Sequence, residues 1–155
     1  MKASNVNVES VALRFGIMTA AGLISYFLLM KLIGWVHIVE LRVLNFLILS
    51  AGVTVAINYF KKIKQGDLAY LKGIGVGLLT AMIGVVIFAF FLVMYLLFLD
   101  PGFMEMIQQQ ESFGQYLDPL TVGFTIIVEG FGSGYLITFI VMQYLKRSHF
   151  QKSTG

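Results

Sequence analysis

Cysteine is absent from this sequence of 155 residues, and charged residues are scarce. Without cysteine the chain can form no disulfide framework, no thiolate metal site and no cysteine nucleophile. Charged residues make up 12% of the chain and hydrophobic residues 58%, whereas soluble domains have roughly 25% charged and ~45–50% apolar residues. Together with a mean hydropathy of +0.85, this composition indicates an integral membrane protein and excludes a soluble domain with a large core.

Sequence patterns of common catalytic and metal sites are also absent. There is no Ser-His-Asp set, no paired carboxylates and no HExxH pattern, so we expect neither an enzyme nor a cofactor. His37 and Glu40 share one short loop, but one histidine and one acid are too few for a metal site. A membrane enzyme acting on lipid would require these two residues to converge with Asp100 and Asp118. The net charge of +3 does not indicate nucleic-acid binding, because the basic residues flank apolar segments and form no continuous patch.

Four long apolar stretches cover most of the chain. They run over about residues 13–35, 43–60, 73–99 and 120–145. A helix needs ~20 mostly apolar residues to cross the ~30 Å hydrocarbon core, and the stretches do not alternate in polarity as membrane strands do. The sequence therefore predicts one all-α domain over residues 1–155, built as a bundle of four transmembrane helices.

The only two prolines mark two further helix starts. Each follows an aspartate, in the pairs Asp100-Pro101 and Asp118-Pro119, which is typical of an N-cap acid before a proline at the first helical position. Between the two pairs, apolar side chains recur at helical spacing. This predicts a short helix lying on the membrane surface between the third and fourth spans. The polar end of the chain, about residues 149–155, is predicted to be a disordered tail.

The distribution of lysine and arginine predicts the orientation. With four spans, the N-terminus, the middle loop and the C-terminus lie on one side, and nine of the 11 basic residues lie there. Because basic residues favour the cytoplasmic side, both termini are predicted to be cytoplasmic. Lys61, Lys62 and Lys64 are further predicted to contact anionic lipid. The nine residues are Lys2, Arg14, Lys61, Lys62, Lys64, Lys72, Lys146, Arg147 and Lys152.

Glu129 is a carboxylate inside the fourth apolar stretch, where it costs a few kcal/mol if charged. It lies roughly 14 Å from Leu120 at ~1.5 Å per residue. Antiparallel counting places polar residues of the first and second spans at a similar depth, and Ser133 lies one turn further along the fourth span. A polar layer between the helices is therefore predicted, formed by Ser25, Tyr26, Ser50, Thr54, Glu129 and Ser133.

Three arrangements would tolerate Glu129 at this depth. It could be a neutral, hydrogen-bonded tie between helices, since burial favours the uncharged form of a carboxyl group. It could pair with Lys31, the one cation inside the apolar zone, although lysine more often extends outward to the headgroups. It could instead line a wet cavity and handle protons or ions.

Small residues recur every fourth position in the third and fourth spans. The patterns are Gly73-xxx-Gly77-xxx-Ala81 and Gly130-xxx-Gly134. Such faces allow helix backbones to approach closely. They predict packing between the third and fourth spans, and the alternative is a homodimer face.

The segments "YFKKIKQGDLAYLKGIGVGLLTA", "DPGFMEMIQQ" and "QYLKR" together resemble a family of small four-span bacterial inner-membrane proteins classed as a domain of unknown function. The resemblance implies a multi-pass protein of the bacterial inner membrane and implies no activity.

Two functions are therefore expected from different classes. The first is a non-enzymatic membrane protein that packs with itself or serves as an accessory subunit of a larger membrane complex. The alternative is a small proton- or ion-coupled transporter or channel that uses Glu129. An accessory protein would keep Glu129 dry, packed and hydrogen-bonded, whereas a transporter would place it against a water-accessible cavity.

Overall fold

The chain forms a helical bundle in our computed structural model, which describes residues 7–35, 42–64 and 69–153. Within these ranges there is no strand, and the prediction of an all-α fold with four long apolar helices is confirmed. The helices are α1 (Val8–Ile33), α2 (Arg42–Ile63), α3 (Tyr70–Met94), α4 (Pro101–Gln110) and α5 (Pro119–Ser153).

Four of these helices, α1, α2, α3 and α5, are long and apolar enough to cross a membrane. A π-helical turn over Tyr95–Leu99 continues α3, and a 3-10 turn over Gly114–Tyr116 precedes α5. The backbone of α5 remains helical to Ser153, where the sequence predicts a disordered tail from about residue 149. Residues 154–155 and the loop that contains His37 and Glu40 lie outside the described residues.

Local sequence chemistry explains where the helices begin and end. The Asp100 carboxylate accepts the Phe103 N–H at 3.0 Å, and Asp118 accepts the Thr121 N–H at 2.7 Å. Both predicted caps are thus confirmed, and each satisfies a backbone donor that the first helical turn leaves free. At the other end of α1, Gly34 adopts a left-handed conformation with φ 81°, which glycine accepts without strain.

Helix α3 is the centre of the bundle. It packs along both α1 and α5, while α2 contacts α1, α3 and α5. On the α1 side, Gly16 lies against Ile83, and Val8 lies near Gly75. Because both residue numbers increase together along this contact, α1 and α3 run parallel, as the first and third of four consecutive spans must.

Glycines bring α3 and α5 together. A Cβ built on Gly130 would lie 2.5 Å from Val85 Cγ1, and one built on Gly134 would collide with the Ala81 Cβ. Carbon atoms pack at ~3.5–4.0 Å, so neither position has room for a methyl group. Gly132, between them, has nothing within 4 Å of its Cβ position. The small-residue face is therefore used inside the chain, at the contact between the third and fourth spans.

Gly77 lies where three helices meet. A Cβ on it would approach Thr138 of α5 at 2.5 Å and Ile57 of α2 at 2.9 Å. Gly73, one turn earlier in α3, is also buried. This contact lies in the half of the bundle that contains the end of α2, away from α4.

Two apolar clusters fill the bundle. The first surrounds the contact of α2, α3 and α5, where Val53, Ile57 and Val76 have no exposed surface. The second joins α1, α3, α4 and the start of α5 and is rich in aromatic rings, with Phe27 and Phe103 at its centre. The second cluster connects the short helix α4 to the bundle.

Candidate functional site

A cavity of about 230 Å³ lies in the half of the bundle that carries α4. All five helices contribute to its lining, mostly with apolar side chains. Six polar residues also line it, and they come from different parts of the chain. They are Tyr26, Asn45, Gln110, Glu111, Glu129 and Ser133.

Glu129 lines this cavity from α5. It follows Pro119 by ten residues, which places it roughly 15 Å along the helix axis at ~1.5 Å per residue. Its side chain is exposed, and it makes no hydrogen bond or ion pair with any residue in the described parts of the chain. The carboxylate is therefore neither packed nor tied to another helix by a described side chain.

The cavity brings together only part of the predicted polar layer. Tyr26 and Ser133 line it together with Glu129. Three other members of that layer do not reach the lining, because they lie on other faces of their helices. Ser25 is exposed, and Ser50 and Thr54 are partly buried.

Three lining residues lie outside the predicted polar layer. Asn45 stands near the start of α2, while Gln110 and Glu111 stand at the end of α4. The sequence shows that these three residues are polar. It does not show that α4 folds back over the bundle, because that depends on the packing of Phe103 against residues of other helices. Asn45 is notable because its side-chain oxygen is buried and has no hydrogen-bond partner.

Lys31 lies away from Glu129. Its ammonium group is 2.5 Å from the Asp100 carboxylate and 4.2 Å from the centre of the Phe103 ring. The hypothesis of a Lys31–Glu129 ion pair is therefore corrected to a Lys31–Asp100 pair. The physical reason is that a lysine near the end of a span extends toward the aqueous end, where its charge is better solvated.

The Lys31–Asp100 pair ties α1 to the start of α4. The hydrogen bond from Lys31 is the main cause that holds the pKa of the Asp100 carboxyl below its ordinary value, and the Phe103 N–H adds to it. A carboxyl whose pKa is lowered by folding stabilises the folded state above its ordinary pKa. That contribution disappears as the pH falls through the lowered value.

Acidification is expected to lower stability partly through Asp100. The thermal unfolding midpoint of the purified protein, followed by far-ultraviolet circular dichroism in detergent, should decrease as the pH falls below the ordinary carboxyl range. Asp100→Asn should lower the midpoint at neutral pH and weaken its dependence on pH. Asp118, whose pKa the Thr121 hydrogen bonds also lower, should keep part of the dependence. An Asp100→Asn variant with the unchanged pH profile would contradict this role.

The predicted lipid-contacting lysines lie at the opposite end of the bundle from the cavity. Lys61 and Lys62 stand in the last turn of α2, and the Lys64 ammonium is 5.9 Å from the Phe60 ring. Nearby, the Arg14 guanidinium lies 5.9 Å from the Tyr59 ring. Basic and aromatic groups thus occur together at this end, as they do at membrane interfaces.

In the described parts of the chain there is no group of three or more His, Asp or Glu residues that could hold a metal ion. Comparison of the chain with protein-family models, curated proteins and solved structures finds no match. The resemblance to a family of four-span inner-membrane proteins therefore stays a prediction.

Proposed function

We propose that this protein is a small proton- or ion-coupled transporter or channel in which Glu129 is the exchanging group. The observation that supports this most directly is the position of Glu129 on a cavity, at mid-span and without a described partner. A structural tie would be packed and hydrogen-bonded. An intramembrane acid that lines a cavity is instead typical of substrate and proton pathways.

The proposed chemistry is exchange at one carboxylate. In a low-dielectric site a carboxylate is stabilised either by a proton or by a bound cation, so that binding of one displaces the other. The other titratable groups that line the cavity are Tyr26 from α1 and Glu111 from the end of α4. Among the described lining residues there is no lysine, arginine or histidine that would neutralise Glu129 permanently.

The proposed orientation has both termini in the cytoplasm of a bacterium and the four spans in its inner membrane. The charge distribution supports it, since the basic residues cluster on the side of the termini. In this orientation the cavity lies in the outer half of the membrane and α4 lies at the outer surface. Lys61, Lys62 and Lys64 would then face anionic lipid headgroups of the inner leaflet.

The expectation that the chain packs with itself or with a larger complex is retained as a second candidate. One observation favours it: Gly132 on α5 is exposed, and the exposed Val128 and Leu136 lie one turn to either side of it. A small residue on an exposed apolar face allows close approach of another membrane helix. This candidate and the proposed exchange involve the same side of α5, because Glu129, Gly132 and Leu136 follow the i, i+3, i+7 spacing of one helix face.

The proposed function is tested by infrared difference spectroscopy of the protein in lipid bilayers. The carbonyl band of a carboxyl group, assigned to Glu129 by its loss in Glu129→Gln, is expected to respond to the composition of the surrounding water, its proton and cation concentrations. The reason is that a group in contact with the cavity exchanges its proton with water. Glu105→Gln, at an exposed position on α4, serves as the matched control and should leave the band unchanged. If the band stays unchanged under all these conditions, the Glu129 carboxyl is buried and hydrogen-bonded between helices, and the proposal is rejected.

A further inference from the structure

The lining of the cavity indicates what kind of ligand it accepts. The Glu129 carboxylate and the Asn45 side-chain oxygen are both hydrogen-bond acceptors, and the Asn45 oxygen is buried without a donor. A buried acceptor that lacks a donor costs free energy, so a rotation of the Asn45 side chain that brings this oxygen to a ligand with N–H groups would be favoured. A ligand with positive charge would also neutralise Glu129.

The aromatic part of the lining favours an organic cation over a bare metal ion. Four phenylalanines, Phe27, Phe46, Phe88 and Phe103, contribute to the walls. Aromatic faces attract ammonium groups and bury apolar groups, but they supply no oxygen ligands. The polar lining residues do carry oxygens, but a metal ion needs four or more N, O or S ligands, and the described parts of the chain hold no group of three or more His, Asp or Glu residues that could hold one. An ammonium group can bind with fewer acceptors.

Exposed side chains lie on the side of the cavity between α2 and α5. Ile57 of α2 and Thr138 of α5 both lie against Gly77, in the other half of the bundle. On the cavity side, Phe46 of α2 is 43% exposed, and Glu129 of α5 is exposed. At a depth of roughly 15 Å from the start of α5, an opening between these two helices would face lipid in the proposed orientation. The cavity volume of about 230 Å³ is smaller than the ~300–1,000 Å³ of pockets that bury a whole drug-sized ligand.

From these three observations we propose that the ligand is an amphipathic primary amine. Its ammonium group binds between Glu129 and Asn45, and its alkyl tail leaves the cavity between α2 and α5 into the bilayer. This inference rests on the proposed function, because it names the substrate class of the same site. It accounts for the small cavity, since only the head of the ligand has to be enclosed.

The chain provides its own reporter for binding. Trp35 is the only tryptophan in the sequence, and it lines the cavity. Binding is measured by titrating the protein in phosphatidylcholine nanodiscs with dodecylamine while tryptophan emission is recorded. Dodecanol and dodecanoate have the same chain with a neutral or an anionic head, and affinities are compared as mole fractions in the bilayer.

Dodecylamine is expected to change the emission saturably and to bind about 10- to 100-fold more tightly than dodecanol, because only the amine forms charge-assisted hydrogen bonds. Glu129→Gln and Asn45→Leu should each weaken binding, Glu129→Gln by about 10- to 100-fold. The control Glu105→Gln should leave the affinity unchanged. Equal affinities for dodecylamine and dodecanol, or an unchanged affinity in Glu129→Gln, would overturn the inference.

The position of the tail is tested by chain length. If the tail leaves the cavity, dodecylamine should bind at least as tightly as hexylamine on the mole-fraction scale. A loss of affinity beyond the length that the cavity encloses would reject the lateral opening. Failure of the amine inference is distinguishable from failure of the proposed function: the infrared band of Glu129 would still change with pH while dodecylamine fails to bind.

Discussion

Phe27→Ala is expected to lower the free energy of unfolding by about 3 kcal/mol, the typical cost of truncating a buried phenylalanine. Phe27 is 9% exposed. Its ring lies 5.2 Å from Tyr95, 6.0 Å from Phe103, 6.2 Å from Phe91 and 6.4 Å from Phe88. Alanine at this position would lose all four ring contacts at once and leave a void that the surrounding helices can fill only in part.

The loss should be measured by reversible unfolding in mixed detergent micelles, with far-ultraviolet circular dichroism as the signal. Phe90→Ala is the matched control, because Phe90 lies on the central helix α3 with its side chain 68% exposed. In a membrane, an exposed phenylalanine exchanges lipid contacts for other lipid contacts, so its truncation should change stability little. Similar losses in the two variants would contradict the assignment of Phe27 as the centre of the cluster.

The same substitution has a consequence for the cavity. Phe27 lines it and also holds Phe103, whose helix α4 is otherwise tied to α1 by the Lys31–Asp100 pair. Ion pairs between partly exposed residues contribute little to stability, so we expect the aromatic contact to dominate. In Phe27→Ala the emission of Trp35, which also lines the cavity, should therefore change, because α4 is no longer held against this end of the bundle.

The four long helices were predictable because their signals are local. A continuous apolar run has to be helical in a membrane, since lipid offers no partners for free backbone groups. The caps at Asp100 and Asp118 were predictable for the same reason, because each involves a residue only three positions away. In both cases the chain segment itself contains the complete physical cause.

The composition of the site was predictable only in part. Counting residues along antiparallel spans gives depth but not helix rotation, and rotation decides which side chains meet. Tyr26 and Ser133 lie on the cavity side of their helices, whereas Ser25 is one position away and exposed. The partner of Lys31 depends on how α4 folds back, which follows from contacts between residues distant in sequence.

The position of the glycines in α5 leads to a second prediction of large effect. Gly134→Ala is expected to destabilise the protein by about 1–3 kcal/mol, as overpacking of a filled contact does. The new methyl group would meet the Ala81 Cβ. Alanine has no side-chain torsion that could move this atom away, so the backbones of α3 and α5 would have to separate. Such a separation would also weaken neighbouring contacts, including that of Gly130 with Val85.

Gly132→Ala provides the control within the same helix. It replaces the same residue type two positions earlier, where nothing lies within 4 Å of the new Cβ. Because alanine favours helix over glycine by up to ~1 kcal/mol, stability should be unchanged or slightly higher. The pair separates helix propensity from packing: both variants gain the propensity, and only Gly134→Ala loses the contact. If the two variants unfold at the same detergent fraction, α3 and α5 do not pack through this face. The small-residue pattern would then be free to act as a surface between copies of the chain.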